Sequence, residues 1–305
     1  MAGVAVVNVG RWLSAVLVVV AGSTALGGCA GSARPRAATV VASTDVWGSV
    51  ASAVTGRHVA VKSILSGADT DPHSYTASPS DAAAITDAAL VVYNGGGYDP
   101  WVDQVLARHP GIKSVDAYSF VPNGTPGAQP PNEHVFYDLG VAKSVASSIA
   151  DRMAAIDPAN AADYRANATA FCRGADAIAI SERAIAGAYP DAGVIATEPD
   201  VYYLLTAAGL VDHTPAAFTA ANENETDPSP ADMASVLDMI DHRRVSALLV
   251  NPQTSTAAIS GLEDAARRAG VPVTEVTETL PDGIDYLTWQ RNTVNQLLAA
   301  LRSSR

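Results

Sequence analysis

Cysteine is nearly absent. The 305-residue chain holds 2, Cys29 and Cys172, which excludes a disulfide framework and any metal site built from thiolates alone. Aromatic residues make up only 6% of the chain, which argues against a wide aromatic-walled cleft for a bulky organic ligand. Cations are scarce as well. Lys and Arg number 19 against 31 Asp and Glu, a formal charge of -12 with His neutral. That balance argues against nucleic acid as the main partner, because phosphate binding needs clustered cations. It is compatible with a cationic ligand. What the chain does have is apolar mass: 48% hydrophobic and 16% charged residues suffice for real cores and exclude an intrinsically disordered chain. The length allows two domains of ordinary size or one large one.

Arg11 is the single charged side chain before Cys29. An apolar run from Trp12 to Ala21 follows it, and small residues lead to Leu26-Gly27-Gly28-Cys29. A positive residue, a short apolar core and a small-residue exit describe a secretory signal. The last four residues resemble the lipobox of bacterial lipoproteins, which implies cleavage before Cys29 and lipid on its sulfur; the alternative is an ordinary signal peptide with an incidental cysteine. Ala30 to Ala37, rich in Gly, Ser, Arg and Pro, reads as a flexible tether. No other stretch is long and apolar enough to span a bilayer, so the rest of the chain is expected outside the cytoplasmic membrane. Cys172 is expected as a buried small residue on a helix.

Short β-branched runs recur from Val40 to Ala42, Val59 to Val61, Leu90 to Tyr93 and Ile112 to Val115, with helical patterns from Val46 to Val54 and Pro79 to Ala89 between them. Ser78 at a cap with Pro79 in the first turn suits a helix start. Val141, Val145, Ile149, Met153 and Ile156 keep helical spacing up to Asp157-Pro158. Tyr164, Ala168, Phe171, Ala175, Ile178, Glu182 and Ile185 keep it again, which predicts one helix of more than about twenty residues, roughly 30 Å or longer. Strands follow at Gly193 to Thr197, Ser246 to Val250 and Val273 to Val276, with helices from Pro230 to His242, Thr256 to Ala269 and Tyr286 to Leu301. The expected fold is α/β, with two doubly wound lobes of parallel sheet, one long connecting helix and a cleft between strand ends. The expected organisation is a signal at 1–28, a tether at 29–37, an N-terminal lobe at 38–158, the connecting helix at 159–189 and a C-terminal lobe at 190–305. No sequence repeat supports an internal duplication. Trp47, Trp101 and Trp289 read as packing residues.

Four segments at strand ends carry residues suited to chemistry. Asp71-Pro72-His73-Ser74-Tyr75 precedes a helix, and Asn132-Glu133-His134 follows a Pro/Gly loop. Thr197-Glu198-Pro199-Asp200 joins a strand to a helix, and Glu275-Val276-Thr277-Glu278 follows a strand. Each has a plainer reading. His73 is then a solvated loop residue, His134 a residue near a helix start, Glu198 a helix cap and Glu278 a solvated acid.

Taken together these segments resemble the zinc/manganese-binding, TroA-like solute-binding lipoproteins of bacterial metal ABC importers, over roughly residues 38 to 301. Asp71-Pro72-His73-Ser74-Tyr75 with Ser78-Pro79-Ser80-Asp81 is the most specific match. Asn94-Gly95-Gly96-Gly97-Tyr98-Asp99, Asp227-Pro228-Ser229-Pro230, the long helix and the lipobox agree with it. The resemblance implies a metal site of His73, His134, Glu198 and Glu278. The last departs from the family's usual Asp, with Asp282 and Asp285 its nearest competitors. It also implies one divalent ion, Mn²⁺ or Zn²⁺, a membrane permease as partner, attachment to the cell membrane through lipid on Cys29, and a monomer with no catalytic activity. The long helix then limits lobe motion to small adjustments.

The chemistry stands beside the resemblance. Two neutral imidazoles and two carboxylates form an N2O2 set whose charge balances a divalent cation, suited to Zn²⁺ and to Mn²⁺ and lacking soft sulfur for Cu(I). Carboxylates that bind through both oxygens raise the coordination number, which Mn²⁺ tolerates. Residues 117–133 contain no His, whereas zinc-type members often carry a His-rich loop there; with Glu198 this tilts the expectation towards manganese. Asp71 and Asp138 are candidates to orient the His rings. Competing readings are a zinc hydrolase with an open metal position, an adhesin of the same fold, and a binding protein for a larger ligand. The chain has no His-Glu-x-x-His helix and no Gly-x-Ser-x-Gly elbow.

Overall fold

The β-branched runs become two parallel sheets. In the computed structural model, which describes residues 1–3, 38–67, 75–122, 131–224 and 226–304, the first sheet holds β1 (Thr39–Thr44), β2 (Ala60–Leu65), β3 (Leu90–Tyr93) and β4 (Ser114–Asp116) in the order β2-β1-β3-β4. The second holds β5 (Gly193–Ala196), β6 (Val211–Asp212), β7 (Leu248–Val250) and β8 (Val273–Glu275) in the order β6-β5-β7-β8. Val40 lies opposite both Val61 and Leu90, and Ile195 opposite Leu248. The second order repeats the first, so the lobes share one topology where the sequence carries no detectable repeat.

Helices make the crossovers. The first sheet uses α1 (Asp45–Thr55), α2 (Pro79–Asp87) and α3 (Pro100–Arg108). Next come α4 (Leu139–Ile156) and α5 (Ala161–Ala188). The second sheet uses α6 (Tyr202–Ala207), α7 (Ala216–Glu223), α8 (Pro230–Asp241) and α9 (Ala257–Ala269), and α10 (Tyr286–Ser303) closes the chain. Caps anchor several starts: Ser78 and Asp81 form a reciprocal capping box on α2, and Thr256 accepts the Ile259 N–H on α9.

Strand alternation sorts side chains into two layers. Val40, Ala42, Leu90, Val92, Val194, Ala196 and Leu249 face one central core, which they share with α1, α4, α5 and α10. Val41, Val91 and Tyr93 face outward onto α2 and α3. Ile195, Leu248 and Val250 face outward onto α7, α8 and α9. The central core therefore runs through both lobes. In α5 the seven residues of the expected stripe, Tyr164 to Ile185, are all buried, and its 28 residues span about 42 Å at 1.5 Å per residue. A helix of that length sharing one core with both sheets opposes a wide hinge. Cys172 corrects an expectation: it is half-buried, not enclosed, because it lies beside the buried stripe, with its Sγ 3.8 Å from the Lys143 carbonyl.

Residues 1–36 and 37–305 form separate units, and both sheets lie in the second. All but the first three residues of the expected signal, the whole expected tether with Cys29, and Asp71 and His73 fall outside the described residues. Among the described residues, no helix is long and apolar enough to cross a membrane.

Candidate metal centre

In each sheet the strand order reverses between two neighbours, β1 and β3 in the first, β5 and β7 in the second. Ligands of open parallel sheets settle at the carboxyl ends of such pairs. Asp45 and Asn94 leave the first pair, and Glu198 and Asn251 leave the second.

His134 is 1% exposed and edge-on to the Tyr98 ring, with centroids 5.7 Å apart. Its Nδ1 stands 3.0 Å from Asn132 Oδ1, which also accepts the His134 backbone N–H at 2.8 Å. An amide oxygen can only accept, so it fixes the proton on Nδ1 and directs the Nε2 lone pair the other way. There Nε2 meets Glu278 Oε2 at 3.6 Å. Two ligands at ordinary zinc distances and a tetrahedral angle are about 3.4 Å apart, so this spacing suits two atoms on one ion.

Glu278 is 2% exposed and Glu198 7%. Neither behaves as its plainer reading requires. Glu278 is not a solvated acid, and Glu198 makes no side-chain cap on the helical turn that follows it. Asn251 joins the two, donating from Nδ2 to Glu198 Oε2 at 2.7 Å and to Glu278 Oε1 at 3.0 Å. Of the competitors to Glu278, Asp282 is exposed and Asp285 caps α10 through the Thr288 N–H.

Asp138 is corrected. Its Oδ1 accepts the N–H groups of Gly140 and Val141 at the start of α4, and the ring-orienting position belongs to Asn132. The spacing Asn132-x-His134 was the available sign, since an Asx side chain reaches the backbone two residues on. A third carboxylate, Asp200, lies in the segment of Glu198 but carried no expected role. It is 1% exposed, and burial pushes its carboxyl well above the usual range, with the charges of Glu198 and Glu278 adding to the rise. No Lys or Arg is buried among the described residues. The pocket thus concentrates acid without a basic side chain to offset it, a state that favours a bound cation.

The lobes meet around these residues. Asn132 Nδ2 donates to the Pro199 carbonyl at 3.1 Å and Tyr203 Oη to the Asn132 carbonyl at 2.7 Å. Tyr137 Oη reaches the Thr277 carbonyl at 2.8 Å. Thr279 Oγ1 reaches the Gly67 carbonyl at 3.0 Å, at the edge of the segment that contains His73. Among the described residues, no three His, Cys, Asp or Glu side chains form a ready ligand set. His134 and Glu278 make one edge of a site, Glu198 joins it through Asn251, and His73 lies outside the description.

Two parallel lobes of one topology, a shared core and a buried acidic junction define a bilobed α/β solute-binding protein. The family described as "Zinc-uptake complex component A periplasmic" matches residues 40–300, and the chain belongs to it. The manganese-binding lipoprotein MntA of Bacillus subtilis is 23% identical over 268 residues, 82% of this chain and 84% of that protein. The periplasmic zinc-binding protein TroA of Treponema pallidum shares the fold at a TM-score of 0.73 and 18% identity, over 87% of this chain and 99% of that one. The laminin-binding protein Lmb of Streptococcus agalactiae, described as bifunctional in adhesion and metal transport, does so at 0.71 and 22%, over 88% of this chain and 100% of that one.

Proposed function

We propose that the chain is an extracytoplasmic substrate-binding protein that captures one divalent transition-metal ion, Mn²⁺ or Zn²⁺, and passes it to the membrane permease of an ABC importer. Membership of a zinc-uptake family supports this reading, as does the similarity to a manganese-binding lipoprotein. The observation that carries it is the buried junction: His134 Nε2 and Glu278 Oε2 stand 3.6 Å apart, Glu198 is tied to the same Asn251, and no buried Lys or Arg is described nearby.

The ion is cargo, and His73, His134, Glu198 and Glu278 are its proposed ligands. The first two come from the N-terminal lobe and the last two from the C-terminal lobe, so binding stabilises one lobe arrangement, which the permease would recognise. Lipid on Cys29 after removal of residues 1–28, with 29–37 as tether, would hold the protein at the membrane. The family is one of uptake components, so the chain takes no catalytic assignment. The likeness to the laminin-binding protein is one of fold and brings no adhesion role with it.

Calorimetric titration of the metal-stripped protein with Mn²⁺ and Zn²⁺ tests the reading. Tight binding of one ion, weakened at least about tenfold by Glu198→Ala and by Glu278→Ala, is expected. Absence of binding by either ion would overturn it. Binding indifferent to Glu278→Ala would remove that ligand and favour an open, three-ligand site.

A further inference from the structure

Asn251 spends its whole side chain on the two carboxylates and their loop. A primary amide has two N–H bonds, and here they go to Glu198 Oε2 at 2.7 Å and Glu278 Oε1 at 3.0 Å. Its Oδ1 accepts the Gln253 N–H at 3.0 Å. Gln253 in turn accepts the Glu278 N–H at 2.7 Å and donates to Thr279 Oγ1 at 2.9 Å. The network fixes which way the amide faces. A flipped amide would set Oδ1 against two carboxylates and Nδ2 against an N–H. Asn251 is 1% exposed, so these bonds are shielded from bulk solvent.

Asn251 thereby chooses between the oxygens of each carboxylate. It holds Oε1 of Glu278, and Oε2 is the atom beside His134 Nε2. It holds Oε2 of Glu198, leaving Oε1 as the oxygen that Asn251 does not hold. A charge-assisted hydrogen bond in a buried site is strong. Each held oxygen keeps a second lone pair, but the bond turns the carboxylate towards the amide and draws electron density from that oxygen, which disfavours binding an ion through both. Zn²⁺ is satisfied by four ligands in a tetrahedron, whereas Mn²⁺ prefers six, which four side chains supply only if carboxylates bind through both oxygens.

We propose that Asn251 is a specificity-determining residue: by holding one oxygen each of Glu198 and Glu278 it keeps both as single-oxygen ligands and favours Zn²⁺ over Mn²⁺. The inference rests on the metal-capture reading and runs against the tilt towards manganese drawn from Glu198 and the His-free loop. The sequence showed which groups are present, and Asn251 governs how many of their oxygens are offered.

The test compares the metal-stripped protein with Asn251→Ala and Asn251→Asp. Both variants remove the donor. Asp keeps an acceptor for the Gln253 N–H but adds a carboxylate that can itself bind an ion, so the role of the donor is read from a change that Ala and Asp share. Competition titrations with Zn²⁺ and Mn²⁺ give the affinity ratio, and X-ray absorption at the zinc edge counts nitrogen and oxygen neighbours. The expected result is about four neighbours in the parent protein, more in the variants, and a Zn²⁺:Mn²⁺ ratio lowered about tenfold or further. A purely structural lesion would weaken both ions alike. An unchanged ratio and neighbour count, in variants of a parent that binds, would overturn the role of Asn251 and leave metal capture standing. No binding by the parent would overturn metal capture and this inference with it.

Discussion

Asp45 Oδ1, at the start of α1, accepts the backbone N–H of Leu280 at 3.1 Å. The two residues belong to different lobes. The other oxygen of the same carboxylate accepts the Gly67 N–H at 3.0 Å. One side chain thus ties the loop that carries Glu278 to the chain just before residues 68–74. Neither donor is replaced if Asp45 is truncated. Asp45→Ala is expected to destabilise the protein by about 1–3 kcal/mol, read by denaturant unfolding. It should also speed amide exchange selectively at Gly67 and Leu280. Exchange that rises evenly along the chain, or at neither amide, would show that the tie is not specific.

Glu182 gives a pH prediction. It occupies the sixth position of the buried stripe of α5 and is 3% exposed. Its Oε1 has no hydrogen-bond partner among the described residues. Burial raises its carboxyl to about 7 from an ordinary 4.5, and the charge of Asp138 adds to the rise. The raised value means that the folded state holds the proton more tightly than the unfolded one. Stability is then full below the ordinary value and is lost as pH climbs through about 7. Glu182→Gln mimics the protonated form at every pH. Its unfolding free energy should exceed that of the parent by about 1–3 kcal/mol at pH 8 and match it near pH 4. A constant offset across that range would refute the assignment.

Gly96 joins loop geometry to the site. It adopts φ +67, and a Cβ built there would clash with the Tyr118 ring. Tyr118 Oη donates to the Pro131 carbonyl at 2.7 Å, one residue before Asn132. Gly96→Ala combines a left-handed backbone penalty with overpacking, about 2–4 kcal/mol together. Thermal unfolding should show that loss, and metal affinity should fall with it because the displaced ring supports the His134 segment. Equal stability and equal affinity in the variant would mean that Tyr118 moves aside freely.

Much of the architecture was legible because burial wrote it into the spacing. The stripe from Tyr164 to Ile185 specified α5, Glu182 included, since the core admits one face of a helix whatever residue occupies it. β3 and β5 stood out as apolar runs because a parallel sheet buries both of their faces. The expected run for β2, Val59 to Val61, stopped four residues before the strand ends at Leu65. It is an edge strand, and Lys62 and Ser63 break the apolar run there. β4 was placed about two residues early for a similar reason, being three residues long with one buried position. The site was half legible. His134, Glu198 and Glu278 were proposed through the resemblance of their segments to the metal-binding family, but Asn132, Asn251 and Asp200 were given no role. Their roles lie in contacts that cross 67, 53 and 27 residues of chain in the cases of Asn132 to Pro199, Asn251 to Glu198 and Asn251 to Glu278. A neutral amide in a loop carries no local mark of what it will meet across a lobe junction.

Asn132 offers the sharpest test of how His134 is held. Its Oδ1 faces both the ring Nδ1 and the backbone N–H of His134, and its Nδ2 reaches the Pro199 carbonyl beside Glu198. Removing it takes away the acceptor that fixes the tautomer and a bond that spans the lobes. Asn132→Ala should lower metal affinity 10–100-fold, the usual effect of losing such a partner of a ligating imidazole. Asn132→Asp separates the two functions. It keeps an acceptor for Nδ1, now anionic, which makes the imidazole a better ligand, but it sets a carboxylate against the Pro199 carbonyl. If ring orientation dominates, Asp should restore most of the affinity lost in Ala. If the cross-lobe bond dominates, Asp should bind as weakly as Ala or worse. Nitrogen-15 shifts of the His134 ring in the metal-free protein distinguish the cases independently, since only the first predicts that the proton stays on Nδ1 in the parent and in Asp but exchanges between ring nitrogens in Ala.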